Sequence, residues 1–335
     1  MSLPENILEV KSSPHLKGAL STPMIMRHVL YSLLPVSLAA VYYFGISALA
    51  LLVTTTTVAP ATELMLQKVT HRPTTLRDGS AVLTGLLFGL TLPPALPLWM
   101  AALGSVLSIV LGKFVFGGLG KNLFNPALVG RAFLMAAFPV PLTTWVYPLS
   151  ADRFFVFYSS TLAWPLQNPA MSDAVSGATP LGLFKFGGEL TNPELLYSGA
   201  IAGSVGETAA FLILLGGAYL ALRRMLDWRI PVAVLGAVAI LSALLSTVEP
   251  TLCPGPLFML GSGGLMLGAV YMATDPVSSP LTPVGVWLFG FLIGGLVVLI
   301  RLAGGLPEGV MYAILLGNAA TPLLDRIHQR RVYGQ

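Results

Sequence analysis

The chain has 335 residues, of which 55% are hydrophobic and only 10% are charged, and its mean hydropathy is +0.81. A soluble domain carries about 25% charged residues, so the composition excludes a soluble enzyme with one anchor and indicates a polytopic membrane protein. The formal net charge of +4 reflects membrane topology rather than nucleic-acid binding, because the basic residues cluster between apolar segments.

The N-terminal segment 1–24 lacks the basic-then-apolar layout of a signal peptide, so no cleavage is expected. The single cysteine, Cys253, excludes an intramolecular disulfide and a cysteine-only metal cluster within this chain. The four histidines are scattered without ligand spacing. We therefore expect no metal site made by this chain alone.

Ten apolar segments are candidate membrane spans, since crossing a hydrocarbon core of roughly 30 Å takes about 20 apolar residues. Segments in lipid must satisfy their backbone groups internally, which favours helices; a β-barrel would show alternating segments of about ten residues. The predicted fold is an all-α polytopic membrane protein with about ten transmembrane helices, at 25–45, 46–66, 81–94, 96–116, 124–142, 205–222, 230–248, 256–274, 284–302 and 307–323.

Basic residues lie mainly on one side of these predicted spans. Fourteen fall on that side, three on the other, and Arg131 lies inside the fifth span. By the positive-inside rule, this asymmetry predicts cytoplasmic termini and an external 143–204 loop. The fourteen are Lys11, Lys17, Arg27, Lys68, Arg72, Arg77, Lys113, Lys121, Arg223, Arg224, Arg229, Arg326, Arg330 and Arg331, and the three are Arg153, Lys185 and Arg301.

An internal repeat is indicated by two series of elements in the same order. Each has a Gly-rich short span, a Pro-broken end, a long span, and an Asn-x-Ala sequence, at Asn125 and at Asn318. Five spans separate equivalent positions, so the second copy must run in the opposite sense, as in inverted-topology repeats. The alternative is that Gly and Pro are simply frequent in membrane helices. The predicted organisation is an N-terminal segment 1–24, a first five-helix repeat 25–142, an external loop 143–204, a second repeat 205–323 and a tail 324–335.

Two predicted spans are interrupted by proline, and inverted repeats place binding sites near such broken helices. The sequence Leu92–Pro97 cannot continue a helix, and Asp275-Pro276 ends the eighth span in the same way. Broken helix ends expose backbone dipoles that can hold ions or polar rings.

The longest polar loop contains Ser176-Gly177-Ala178-Thr179. A hydroxyl on a turn of small residues is open to a bulky modifying group. A threonine hydroxyl is a poor nucleophile unaided, so modification would need an external transferase. An ordinary turn stabilised by the threonine hydroxyl is the alternative.

Several motifs in order, from Ser13 to Asp325, resemble the RnfD/NqrB family. The length and short N-terminus resemble RnfD, whereas NqrB typically has a longer N-terminal extension. The motifs are Asp78–Gly85, Leu90–Pro94, Phe116–Gly120, Lys121–Phe133, Gly203–Thr208 and Ala273–Val277, together with Ser176–Thr179.

The resemblance implies a subunit of an ion-translocating electron-transfer complex in the bacterial inner membrane. It implies that Thr179 carries FMN through a phosphoester bond, made by a flavin transferase that uses FAD and recognises the pattern Ser176, Gly177, Ala178 and Thr179. It also implies other complex subunits as partners, including a second flavin subunit and membrane Fe–S subunits. The chain contacts the lipid bilayer, and no nucleic-acid partner is expected.

Asn122 and Asn125 are three apart, so on a helix they would share a face. Their amides suit a flavin imide edge, and the resemblance implies a second, non-covalent flavin, riboflavin, near them. Alternatively, Asn122 caps the fifth span and Asn125 bonds a neighbouring helix.

Four further residues are candidates for the ion or flavin environment. Arg131 is a charge within a span, which indicates function; it could pair with a flavin phosphate, Glu207 or Asp275, or form a structural ion pair between repeats. Glu207 opens the sixth span, where the helix dipole also favours an acid. Asp275 and Asn318 occupy repeat-equivalent regions near the broken helices and are candidates for the same environment.

The predicted function is a relay of electrons within an Rnf-type complex, in which, the resemblance implies, electrons pass between ferredoxin and NAD⁺ while Na⁺ or H⁺ crosses the membrane. The chain has no nucleotide motif and no Fe–S cysteine set, so it would not be catalytically complete alone. Two alternatives stay open. They are the NqrB subunit of a Na⁺-translocating NADH:quinone reductase, and a small-solute channel or transporter without redox chemistry.

Overall fold

A computed structural model of the chain describes residues 21–165, 176–207, 210–249 and 253–327. Most of the predicted N-terminal segment and of the C-terminal tail lies outside these ranges. The basic residues Lys11, Lys17, Arg330 and Arg331, on which part of the topology prediction rests, lie there too.

The described chain is mostly helical, and its longer helices follow the predicted spans. Four of them, α1, α2, α10 and α13, are long and apolar enough by length and composition to cross a membrane. The helices are α1 (Thr22–Phe44), α2 (Ile46–Val69), α3 (Ser80–Leu90), α4 (Leu98–Ile109), α5 (Pro126–Ala137), α6 (Pro139–Thr143), α7 (Pro180–Gly182), α8 (Pro193–Ser198), α9 (Ala210–Leu222), α10 (Arg229–Val248), α11 (Pro256–Gly261), α12 (Leu265–Leu267), α13 (Pro283–Ala303) and α14 (Val310–Leu324). The prediction of a helical multi-pass membrane protein is confirmed.

Helix packing follows one pattern in both halves of the chain. α2 packs on α3 and α4, and α10 packs on α11 and α13; α4 packs on α5, and α13 packs on α14. Between the halves, α1 contacts α9 and α5 contacts α14. One large apolar cluster runs through both halves, and Phe44, Phe88 and Phe289 are among its fully buried members.

Both proline-containing spans end before their prolines, as predicted, and the eighth is also broken earlier, between α11 and α12. α3 ends at Leu90, short of the predicted limit of 94, and the eighth span divides into α11, α12 and a π-helical turn Gly268–Met272. The free carbonyls beyond α3 are satisfied from the other half of the chain. Gly206 N–H donates to Leu90 O at 2.7 Å, and Val205 N–H donates to Leu92 O at 3.0 Å. Irregular backbone is tolerated at membrane depth where protein partners satisfy it in this way.

The 143–204 loop contains a short antiparallel pair of strands, β1 (Trp145–Val146) and β2 (Ser176–Gly177), a small exception to the all-α prediction. The loop packs at the end of the bundle where α1 turns into α2 and α13 into α14. Ile46 N–H donates to Arg153 O at 2.8 Å, and Lys185 Nζ donates to Leu306 O at 3.3 Å. Gly45, with φ of 71°, allows this approach, since a β-carbon there would collide with the Arg153 carbonyl.

Candidate flavin-attachment and interior polar sites

Thr179 follows β2 and precedes α7, where it forms the N-cap. Its Oγ1 accepts a hydrogen bond from Gly182 N–H at 3.1 Å, so the ordinary turn interaction considered from the sequence is present. Pro180 follows as the first helical residue, where its missing N–H costs nothing. The hydroxyl is therefore held in one place by the local fold.

Thr179 also lines a cavity of about 980 Å³ at the loop end of the bundle. The cavity wall includes two aromatic side chains, Trp145 and Phe186, and Glu308 from the connection between α13 and α14. Small-molecule and cofactor sites have volumes of about 300–1,000 Å³. The cavity is therefore large enough for an aromatic cofactor, although Thr179 itself is only 4% exposed.

The residues before Thr179 differ in what they can tolerate. Ser176 pairs with Val146 in the strand register, and Gly177 pairs with Trp145. A β-carbon on Gly177 would lie 3.0 Å from Ala202 Cβ and 3.1 Å from the Tyr147 ring. Ala178 is exposed and lines the same cavity. The small residue at 177 is thus needed for packing the loop.

The expectation that Asn122 and Asn125 share a helix face was wrong. Both precede α5, because Pro126 starts the helix and Asn125 is its N-cap in extended conformation, with Oδ1 accepting from Ala127 N–H at 3.0 Å. Asn125 Nδ2 donates to Met272 O at 3.1 Å. The cap is thus Asn125 rather than Asn122, and its amide is already engaged at both ends.

Asn122 is buried, and its Oδ1 has no hydrogen-bond partner among the described residues. Its Nδ2 donates to Phe124 O at 3.2 Å. Both asparagines line a cavity of about 70 Å³, which also includes Ser80, Lys113 and Asp275. That volume accommodates a few water molecules and is far below that of a ring-sized ligand site.

Asn318 and Asp275 lie near the asparagine cap of α5 and the end of the eighth span. Asn318 is fully buried; its Oδ1 accepts from Asn125 N–H at 3.3 Å, and its Nδ2 donates to Ser278 O at 3.1 Å. Asp275 accepts hydrogen bonds from Val277 N–H and Ser278 Oγ, at 3.3 Å and 3.1 Å. Asp275 therefore stabilises the turn that ends the eighth span, in addition to lining the 70 Å³ cavity.

Arg131 forms an ion pair with a residue that the sequence did not single out. Its Nη2 lies 3.1 Å from Glu308 Oε2, which joins α5 to the connection before α14. Glu207 is buried and accepts from Ser204 Oγ at 2.6 Å. The partners considered for Arg131 within this chain, Glu207 and Asp275, are not those it binds. Within the chain, Arg131 instead forms an ion pair with Glu308 of the other half.

A second buried ion pair was also missed. Lys113 was counted among the basic residues that set the topology, but it is 3% exposed and lies on a π-helical turn, Val110–Phe114, that continues α4. Its Nζ lies 2.8 Å from both Glu63 carboxylate oxygens and 2.7 Å from Ser80 Oγ. Lys113 lies at the end of a predicted span, and its position in the sequence did not indicate that its side chain points into the bundle.

Among the residues that the structure describes, no group of three or more His, Cys, Asp or Glu side chains could hold a metal ion. The other candidate sites among the described residues are the Thr179 hydroxyl, the 70 Å³ cavity and the buried ion pairs.

Comparison with known proteins identifies the family. The profile described as "NQR2, RnfD, RnfE family" matches residues 9–334. The chain belongs to this NQR2, RnfD and RnfE family. The predicted relationship is thereby confirmed over nearly the whole length of the chain.

Individual members of the NQR2, RnfD and RnfE family are similar to the chain from end to end. The D subunit of the proton-translocating ferredoxin:NAD(+) oxidoreductase complex of Clostridium ljungdahlii is 41% identical, covering 98% of this chain and 97% of that protein. The D subunit of the Na(+)-translocating ferredoxin:NAD(+) oxidoreductase complex of Acetobacterium woodii is 40% identical, covering 98% and 95%. The D subunit of the ion-translocating oxidoreductase complex of Stutzerimonas stutzeri is 41% identical, covering 94% and 93%.

Proposed function

We propose that the chain is the D subunit of an Rnf-type ion-translocating oxidoreductase complex. In such a complex electrons pass between ferredoxin and NAD⁺ while Na⁺ or H⁺ crosses the membrane. The observation that supports this proposal is that the chain is 40% or more identical to the D subunits of such complexes, over nearly the full length of both proteins. The names of these relatives favour an Rnf-type complex over the NqrB and channel alternatives. The chain acts within a multi-subunit assembly, with flavin and Fe–S subunits as its redox partners.

The proposed redox group is FMN, attached covalently to Thr179. Three observations support it: the hydroxyl lines a cavity of about 980 Å³, two aromatic residues in the wall offer faces for a flavin ring, and Gly177 and Gly182 flank the attachment point without side chains. Bound FMN supplies one- and two-electron redox chemistry, which no side chain of this chain provides.

Attachment requires a flavin transferase and FAD. The Thr179 oxygen forms a bond to the phosphorus of the FMN half, the pyrophosphate bond of FAD breaks, AMP leaves, and the hydroxyl proton goes to a base of the transferase. The chain's own residues position the acceptor. The Gly182 N–H holds Oγ1 in place, and the β1–β2 pairing fixes the strand that leads to Thr179.

We propose that the helices form ten spans arranged as two inverted five-helix repeats in the bacterial inner membrane, with cytoplasmic termini and an external 143–204 loop. The matching helix contacts within the two halves support the repeat. The loop, the α1–α2 turn and the α13–α14 connection lie together at one end of the bundle, as the topology requires. A flavin on Thr179 is then on the outer side.

The second flavin, riboflavin, fits this structure poorly at the predicted position. The Asn122 Oδ1 is free to accept a hydrogen bond, but the Asn125 amide is engaged at both ends and the cavity is about 70 Å³. The proposed electron relay therefore includes no step through that group.

The test of covalent flavin is in-gel ultraviolet fluorescence of the denatured full chain, coexpressed with a flavin transferase. We expect a fluorescent band that Thr179→Ala abolishes and that mass spectrometry assigns to an FMN adduct within residues 160–200. Thr143→Ala and Thr144→Ala are matched controls, because both threonines line the same cavity. A dark wild-type band, or a band that Thr179→Ala retains, would contradict the proposal.

A further inference from the structure

Glu308 lines two cavities. It lines the cavity of about 980 Å³ that contains Thr179, and it lines a second, interior cavity of about 30 Å³ between the two halves of the chain. Arg131 and Ser204 line the interior cavity from opposite halves. The Glu308 carboxylate thus stands where a route from the loop end of the bundle would enter its interior.

Buried polar atoms that lack partners lie at and near the interior cavity, which Arg131 and Glu308 line directly. Of the six such side-chain atoms among the described residues, four belong to this region: Arg131 Nε, Arg301 Nε, Glu308 Oε1 and Ser262 Oγ. Ser262 is fully buried, and Arg301 and Arg131 are 4% and 6% exposed. Buried polar groups normally bind protein or ordered water, and one water needs about 10–15 Å³. A volume of about 30 Å³ therefore holds roughly two waters.

Two carboxylates lie on either side of two consecutive glycines next to this cavity. A β-carbon on Gly263 would be 3.6 Å from Glu308 Oε1, and one on Gly264 would be 3.6 Å from Glu207 Oε1. Gly264 also lines the cavity, as does Ser204, whose hydroxyl donates to Glu207. A side chain at 264 would meet Glu207, and one at 263 would meet Leu181, Arg301 and Glu308, so the two glycines let this backbone lie close to both acids.

The charges around the two acids come from several elements. Arg131 on α5 pairs with Glu308. Arg301 on α13 donates to the carbonyls of Met259 and Ser262 and has no carboxylate within ion-pair distance among the described residues. Lys185 of the loop donates to the carbonyl of Arg301 from outside.

We propose that Glu207 and Glu308 form a water-bridged proton-binding site between the flavin-attachment cavity and the interior of the bundle. The Glu207 O–H bond breaks as a cavity water accepts the proton, and that water transfers a proton to Glu308, where a new O–H bond forms. No group is oxidised or reduced. The role of this proton-binding site rests on the proposed ion-translocating function. The presence of the site does not depend on that function.

A proton suits this site better than Na⁺. Two guanidinium groups lie within electrostatic range of both carboxylates, and they repel a metal cation that would need several oxygen ligands. A proton only neutralises one carboxylate and needs no coordination shell. Sodium binding is therefore the competing outcome of the test.

The test uses infrared difference spectroscopy of the purified full chain, titrated with acid in H₂O and D₂O. We expect the C=O band of a protonated carboxyl group that shifts in D₂O, disappears in Glu207→Gln, and titrates about one pH unit or more away from the wild-type midpoint in Glu308→Gln. Glu189→Gln is the matched control, because Glu189 is an exposed acid on the same large cavity, and it should leave the band unchanged.

Removing Glu308 alone leaves Arg131 unpaired, so the double variant Arg131→Gln/Glu308→Gln keeps the test available if the single variant does not fold. The proposal is overturned if neither acid contributes to a protonated carboxyl band, or if Na⁺ displaces the band at fixed pH. Repeating the titration on Thr179→Ala separates the two ideas, since the band should persist without attached flavin. If the wild-type gel shows no flavin fluorescence while the infrared carboxyl band is intact, only the proposal of covalent flavin is contradicted.

Discussion

The backbone N–H of Asn125 donates to Asn318 Oδ1 at 3.3 Å across 193 residues of sequence. Asn318 is fully buried and also donates to Ser278 O, so one amide side chain links the cap of α5 to α14 and to the end of the eighth span. Positions 125 and 318 are also the two that the internal repeat made equivalent. Under the proposed repeat, the contact would join equivalent positions of the two halves.

Asn318→Leu should destabilise the protein by about 1–3 kcal/mol, because it leaves the Asn125 N–H buried and unpaired. Thermal unfolding of the full chain in detergent measures the change. Thr321→Val is the comparison, since it removes another donor to Ser278 O but leaves Asn125 paired. Equal effects of the two substitutions would show that the link between the halves contributes nothing.

Because Glu63 and Lys113 form a buried ion pair, we expect the stability effects of substituting the two residues to be strongly coupled. Lys113→Met leaves the Glu63 carboxylate buried without its cation, which costs about 3–5 kcal/mol, whereas replacing both residues with apolar ones is often neutral. We expect Glu63→Met/Lys113→Met to recover most of the lost stability in a double-mutant cycle measured by denaturant unfolding. Lys68→Met, an exposed lysine on the same helix as Glu63, should change little. Additive effects of the two single variants would refute the coupling.

Gly206 marks the closest approach of the second half to the broken end of α3. A β-carbon there would lie 2.9 Å from Leu90 O, so Gly206→Ala should weaken the 2.7 Å hydrogen bond between these backbones and lower the unfolding temperature. Gly236→Ala on α10 meets open space and should be neutral or stabilise by up to about 1 kcal/mol through helix propensity. If Gly206→Ala is as stable as the wild type, the backbone around residue 206 can shift to accommodate the methyl group without loss of stability.

Flavin attachment should depend on the small residue at 177. Gly177→Val places methyl groups against Ala202 and the Tyr147 ring, so the loop carrying Thr179 must shift, and we expect at least a severalfold loss of in-gel flavin fluorescence. Gly187→Val lines the same cavity but meets nothing within 4 Å and should keep the wild-type signal. Full fluorescence of Gly177→Val would show that the transferase does not need this loop geometry.

The proposed sidedness can be tested with single cysteines. Cys253 is buried, so Cys253→Ala provides a background in which Phe186→Cys and Lys68→Cys, at two exposed positions, can be introduced separately. A membrane-impermeant maleimide added to intact cells should label position 186 and should label position 68 only after permeabilisation. The reverse pattern would invert the topology and place Thr179 in the cytoplasm.

The sequence by itself determined the helical multi-pass class, the approximate helix positions and the family, because length, apolar runs and ordered motifs are local properties. It also indicated the breaks in α3 and in the eighth span, since proline and glycine act on their own backbone. It did not identify that Asn125 is a cap, because the spacing argument placed both asparagines on the helix, whereas α5 begins only at Pro126.

Tertiary structure alone decided which charges pair and which space is open. Arg131 meets Glu308 rather than either acid proposed from the sequence, and Lys113 turns inwards to Glu63. Desolvated ion pairs form between residues brought together by helix packing, 177 and 50 positions apart, and no periodicity encodes such distances. The cavity beside Thr179 has the same origin, since its wall combines the loop with the α13–α14 connection.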